Sequence, residues 1–114
     1  PHGVETGSLI RANGFSEVYV IKDGFRRHLQ QPIIFDFYGH LKWENVKNIS
    51  AEEQNKYKES KLIRKAGDYK VYEIIGFRQF RWLDITPKEF EESGKDWEAV
   101  YEINAAEFNW YRNL

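Results

Sequence analysis

The sequence predicts an α+β fold made of two pseudo-symmetric repeats, each a short three-stranded antiparallel sheet followed by two short helices, packed as one compact domain. Three observations predict it. The chain contains its own pattern twice, its β-branched and aromatic runs are punctuated by hairpin signals, and each copy carries paired helix-start and helix-stop residues. Leu9-Ile10-Arg11 returns as Leu62-Ile63-Arg64, Val18-Tyr19 as Val71-Tyr72, and Arg27 with Leu29 as Arg81 with Leu83. Pro32, Phe35 and Gly39 return as Pro87, Phe90 and Gly94, and Trp43-Glu44 with Val46 as Trp97-Glu98 with Val100. A period of roughly fifty residues lies in the range of repeat architectures. The register slips by a residue or two at 22–24 against 75–77 and at 40–42 against 95–96, which suits turns. Residues 1–7 read as a tail or linker, 8–60 as the first repeat and 61–114 as the second.

The elements follow in order. Residues 9–11 form a strand candidate closed by Asn13-Gly14. Residues 17–21 and 25–29 are β-branched and aromatic, and Lys22-Asp23-Gly24 between them is a hairpin signal, because Asp and Gly tolerate positive φ. Pro32 stands at a first helical position and Gly39 just past a helix end, with Ile33, Ile34, Phe35, Phe37 and Tyr38 apolar nearly all round. That predicts a buried helix of about two turns. Thr86-Pro87-Lys88-Glu89 gives the second copy a capping box, with Gly94 as its stop. Ser50-Ala51-Glu52-Glu53 predicts another capping box, opening a helix to about Tyr57. Asn104 opens its partner, running to about Arg112.

Composition bounds the function. The chain has 114 residues, no cysteine, 17% aromatic residues and 31% charged residues. A lone unit of about fifty residues is marginal, since much of its surface stays wet. No disulfide is available to staple it, so the two halves are expected to share burial. A net charge of −1 argues against nucleic acid as a partner, which would call for a basic face. No apolar run has membrane-spanning length. The absence of Met and the start at Pro1-His2-Gly3 suggest a piece of a longer precursor.

The repeated arginines Arg11, Arg64, Arg27 and Arg81 carry forks that fit carboxylate or phosphate. They equally suit cross-strand ion pairs or cover for an aromatic ring. Trp43 and Trp97 read as core residues sealing the two helices of their copy, with a sugar- or base-stacking platform as the other reading. Tyr19 and Tyr72 read the same way, and Gly39 and Gly94 as helix stops. The unshared aromatics favour a ligand more. Phe77, Phe80, Arg81 and Trp82 interleave rings with cations, and Trp110 stands where the first copy has Lys56. Such a strand can hold a glycan or single-stranded polymer by stacking plus charge, or pack against the other copy. For chemistry the search finds little. His2, His28 and His40 do not recur or take metal-ligand spacing, no serine sits in a nucleophile elbow, and no glycine loop cradles phosphate. No catalytic residue, metal or cofactor is therefore expected.

The run Leu-Ile-Arg, Val-Tyr-x-Ile, Asp-Gly-Phe-Arg-Arg-His-Leu, Trp-x-x-Val and a Ser-capped helix resembles a repeat of about fifty residues. That repeat occurs, often in tandem, as an accessory module in bacterial exported and envelope-associated proteins. The resemblance runs from about Gly7 to Tyr111. It departs where Asp-Gly becomes Ile75-Gly76-Phe77 and where His28 becomes Trp82. It implies an extracellular or cell-envelope location and a non-enzymatic role. The expected function is a binding or adhesion module for cell-wall polysaccharide or an envelope partner. A structural spacer or protein-interaction module is the alternative, and a small hydrolase a more distant one.

Overall fold

A computed structural model describes residues 7–113. Residues 1–6, most of the expected tail, lie outside them. The chain divides into two compact units, Pro1–Ser60 and Lys61–Leu114.

In the first unit a meander comes first: β1 (Leu9–Ala12), β2 (Val18–Lys22) and β3 (Phe25–Leu29). The β2–β3 hairpin closes on Asp23 and Gly24, at φ 50° and 83°. Two positive φ values match the right-handed twist of the flanking strands, which is why Asp-Gly is chosen there. Helix α1 is a single turn, Ile33–Asp36, opened by Pro32 without a side-chain cap. It is shorter than the two turns expected. Ile34 and Phe35 are buried, but Ile33 points outward, so the apolar run is not buried all round.

The sheet departs from the three-stranded antiparallel form expected. It is five-stranded and mixed, in the order β4-β1-β2-β3-β5. The Trp43 connector makes one 3-10 turn and becomes β4 (Val46–Ile49), parallel to β1. After the turn of α2 (Ala51–Gln54), β5 (Lys58–Glu59) runs parallel to the start of β3. Both additions are short and pair with strands far back in the chain. Alternation over two to four residues carries little signal, and a long-range parallel partner leaves no local mark. Ser50 Oγ accepts the Glu53 N–H, as expected of an N-cap.

Strand alternation sorts the side chains onto two faces. Ile10, Tyr19 and Ile21 cluster with Tyr57, and Ile49 packs on them. On the other face Leu9, Val18, Leu29 and Arg27 are buried.

The second unit is built from β6 (Leu62–Lys65), β7 (Val71–Gly76), β8 (Gln79–Trp82), α3 (Pro87–Glu92), β9 (Tyr101–Ile103), α4 (Ala105–Trp110) and β10 (Arg112–Asn113). Its sheet is also mixed, in the order β10-β8-β7-β6-β9. The β7–β8 hairpin has an irregular register between Ile74 and Gly76, and Arg78 takes φ 58°. The Thr86 capping box forms in both directions: Glu89 N–H donates to Thr86 Oγ1 at 3.1 Å and Thr86 N–H to Glu89 Oε1 at 2.9 Å. Asn104 Oδ1 accepts the Glu107 N–H at 2.9 Å. Gly94 takes φ 84° just after α3, the left-handed position a helix stop needs, whereas Gly39 has no positive φ. The core of this unit is aromatic. Phe80 lies 4.6 Å from Tyr72, 5.0 Å from Phe108 and 5.5 Å from Tyr111, centroid to centroid.

Candidate functional site

The residues of the aromatic–basic strand separate into distinct places. Phe80 is 2% exposed and belongs to the core. Arg81 projects from the opposite face of β8 and pairs with Glu73, its cross-strand neighbour, at 3.1 Å. Trp82 shares a face with Phe80, whose ring meets those of Phe108 and Tyr111. Trp82, at the strand end, keeps 43% of its surface, and Lys70 Nζ sits 5.0 Å from the ring centre. Phe77 is exposed in the hairpin turn and meets Trp110 edge to face at 5.9 Å. Arg78 completes that tip, with its Cζ 4.9 Å from the Trp110 ring and its Nε donating to the Trp110 carbonyl at 3.0 Å. Phe77 and Trp110 therefore meet, while Phe80, Arg81 and Trp82 stand apart from them and from each other.

Trp43 and Trp97 behave differently from sealed core residues. Trp97 stacks on buried Phe90 at 4.0 Å, and Trp43 on buried Phe35 at 4.1 Å with the rings nearly parallel. Each indole has one face committed and remains about half exposed. The 3-10 turn after the helix accounts for this: it swings the indole back over the helical Phe at the rim of the unit. In the second unit Asp96 caps that turn by accepting the Glu98 N–H, and Trp97 Nε1 donates to Glu91 Oε1 at 3.2 Å.

Trp97 and Trp82 stand on the same open groove of about 330 Å³. Tyr69, Lys70, Asp84 and Ile85 complete its rim, and Phe90 lies at its base. Tyr69 is 82% exposed. Three rings thus show faces or edges to solvent around one depression, with a cation and an anion beside them. Exposed aromatic surface gathered in this way marks interaction sites more often than scattered apolar residues do. Tyr69 and Ile85 were not singled out from sequence. The available signal was a lone Tyr in the polar run Gly67-Asp68-Tyr69-Lys70, where no core demands it.

The first unit has its own cavity, about 570 Å³, lined by Arg11, Glu17, Val18, His28, Gln30 and Trp43 among others. Arg11 Nε donates to Asn48 Oδ1 at 3.2 Å. Arg64, by contrast, is committed at both ends, to Glu102 at 2.6 Å and to the Asp68 carbonyl at 2.8 Å. Arg64 and Arg81 thus make the cross-strand pairs that arginine on a strand ordinarily makes. Tyr19 lies in the core with Arg26 Cζ 4.9 Å from its ring and His28 at 5.4 Å. Burial pushes the His28 imidazole below its ordinary pKa, against the opposing pull of Glu59 and Glu17. Among the described residues no group of three or more His, Asp or Glu side chains could hold a metal ion. No helix there is long and apolar enough to cross a membrane.

No protein-family model matches this sequence, and no curated protein or solved structure is significantly similar to it.

Proposed function

We propose that the chain is a non-catalytic binding module of an exported bacterial protein, recognising cell-wall polysaccharide. The observation that carries this reading is the groove where Tyr69, Trp82 and Trp97 present ring surface that no core requires. Sugar rings offer apolar C–H faces edged with hydroxyls. They fit flat aromatic walls flanked by hydrogen-bonding groups, and Lys70 and Asp84 supply such groups. The two units are read as copies of one pseudo-symmetric repeat. Support comes from the matching strand orders β4-β1-β2-β3-β5 and β9-β6-β7-β8-β10 and from the pairing of Arg11 with Val18 and of Arg64 with Val71. The resemblance to envelope-associated repeats supports the exported location. The alternative of a protein-docking spacer draws on the hairpin tip, where Ile75 and Phe77 are exposed beside Trp110.

The test is retention on isolated cell-wall polysaccharide at low and high salt. Stacking survives added salt, whereas contacts between exposed charges weaken within a Debye length of about 8–10 Å. Wild-type chain is expected to be retained at both salts, and the folded Trp82→Ala/Trp97→Ala variant to wash through. No retention of wild type at either salt would move the reading to protein docking.

A further inference from the structure

The two sheets surround their central tyrosines with opposite chemistry. In the second unit Phe108, the fourth residue of α4, meets Tyr72 edge to face at 5.1 Å, and Phe80 stacks on the same ring at 4.6 Å. Trp82 lies across from Tyr72, and Phe80 stands two residues before it. In the first unit His28 lies across from Tyr19, and two residues before it stands Arg26, whose Cζ is 4.9 Å from the Tyr19 ring centre. The fourth residue of α2 is Gln54. Two phenylalanines around one tyrosine are thus matched by an arginine and an amide around the other.

The exchange leaves polar atoms unmet. Among the described residues Gln54 Oε1 and Arg26 Nε are buried with no hydrogen-bond partner. Buried polar groups are nearly always paired, so such exceptions call for an explanation. Beside them lies a cavity of about 230 Å³, lined by Phe15, Glu17, Tyr19, Ala51, Gln54 and Asn55. Its parts share one face of the sheet. Glu17 stands two residues before Tyr19, so strand alternation sends both the same way, and the Gln54 carbonyl accepts Arg26 Nη1 at 2.9 Å, which ties α2 to that face.

The one charge lining this cavity is the Glu17 carboxylate, which is exposed and makes no hydrogen bond or ion pair among the described residues. The neighbouring cation, Arg26, is turned to the Gln54 carbonyl and to Glu59 at 3.9 Å. Tyr19, Gln54 and Asn55 add oxygen acceptors, while Ala51 and Phe15, 57% exposed, add an apolar wall. A single anion, several acceptors and a ring fit an ammonium group on a methylene stem. Its charge meets Glu17, its N–H groups meet the oxygens, and its stem lies along Phe15. The terminal torsion of glutamine is soft, so turning the Gln54 amide gives Oε1 the donor it lacks. We propose that this cavity is a second binding site, and that it takes a lysine-type side chain of a peptide or protein through its ammonium group.

This proposal does not rest on the polysaccharide reading, because it uses the other unit and another ligand class. The test is titration of the whole isotopically labelled chain with Nα-acetyl-lysine amide, followed through the Gln54 side-chain amide and the Phe15 and Glu17 backbone amides. A saturable shift of these signals is expected. Acetylating the side-chain amine, which removes its charge, should weaken binding by about tenfold, the scale of one lost charge-assisted contact. Tetramethylammonium, which keeps the charge but has no N–H to give, should bind no better than the acetylated probe. Glu17→Gln should cost the same tenfold, and Gln54→Phe, which puts the ring of the second unit in place, should abolish binding. Glu17 is exposed, so its variant remains informative if Gln54→Phe perturbs the fold. The proposal is overturned if no signal saturates, if the acetylated probe or the Glu17→Gln variant binds as well as its parent, or if the shifts fall on Trp82 and Trp97 instead. Tighter binding of glucosamine than of Nα-acetyl-lysine amide would overturn the side-chain ligand in favour of an amino sugar.

Discussion

Phe80 and Trp97 are both aromatic, both in the second unit and both stacked on another ring, yet they stand in opposite positions with respect to water. Phe80 is packed by three rings, so its removal leaves a cavity as well as a lost transfer term. Phe80→Ala is expected to cost about 3–5 kcal/mol in denaturant unfolding. Trp97→Ala forfeits one stacking partner and half a ring of burial, and is expected to cost clearly less. Equal costs would mean that Trp97 is a core residue after all, and the groove would lose its wall. His28 adds a residue-scale dependence on pH. Its folded pKa is lowered by burial, so the unfolded chain binds a proton first as pH falls. The stability it contributes is fully present above the ordinary imidazole value of about 6.5 and is lost as pH drops below it toward the folded value. Melting temperatures taken between pH 7.5 and 5.5 should fall for wild type and fall less for His28→Gln. Parallel slopes for the two proteins would assign the effect to other groups.

Among the elements, the helices show how much a cap settles when a helix has only one or two turns. Six-residue α3 has a reciprocal box at Thr86, and four-residue α1 has only Pro32 to start it. Nucleation is the costly step in a helix this short, so satisfying the first N–H groups weighs heavily. Thr86→Ala is expected to destabilise the chain by about 1 kcal/mol, read from thermal unfolding by circular dichroism. Glu89 is the other half of the box. Its hydrogen bonds from the Thr86 backbone N–H and with the Thr86 side chain hold its carboxyl below the usual range. Its contribution is therefore present at neutral pH and lost as pH falls through the folded value. In α4, Glu107 is fully buried and accepts the Tyr111 hydroxyl at 2.8 Å, so the residue whose backbone N–H is capped by Asn104 also serves as a core partner.

At the scale of the whole molecule, what could be read from sequence was what is local. Asp23-Gly24 and Thr86-Pro87-Lys88-Glu89 carry their geometry within four residues, and both formed as expected. The parallel strands β4 and β9 were missed because their partners lie 37 or 38 residues earlier in the chain, as in the pairs Arg11–Asn48 and Arg64–Glu102. The groove was legible only in part. Trp82 stood out by its absence from the first copy. Trp97 looked like core because an indole lying on a phenylalanine has the same apolar pattern whether or not its second face is covered. Tyr69 gave no periodic signal at all.

The strands that border each sheet are short: four residues in β4, two in β5, three in β9 and two in β10. A border strand is a template for another chain to join, and its length and charge set how inviting it is. Lys47 and Asn48 are exposed on β4, Lys58 and Glu59 make up all of β5, and Arg112 is exposed on β10. Polymerisation through these borders would gain only a few ladder bonds and would press charges together. The short parallel additions that complete each sheet thus also end it, which guards an aromatic-rich chain against growing into fibres.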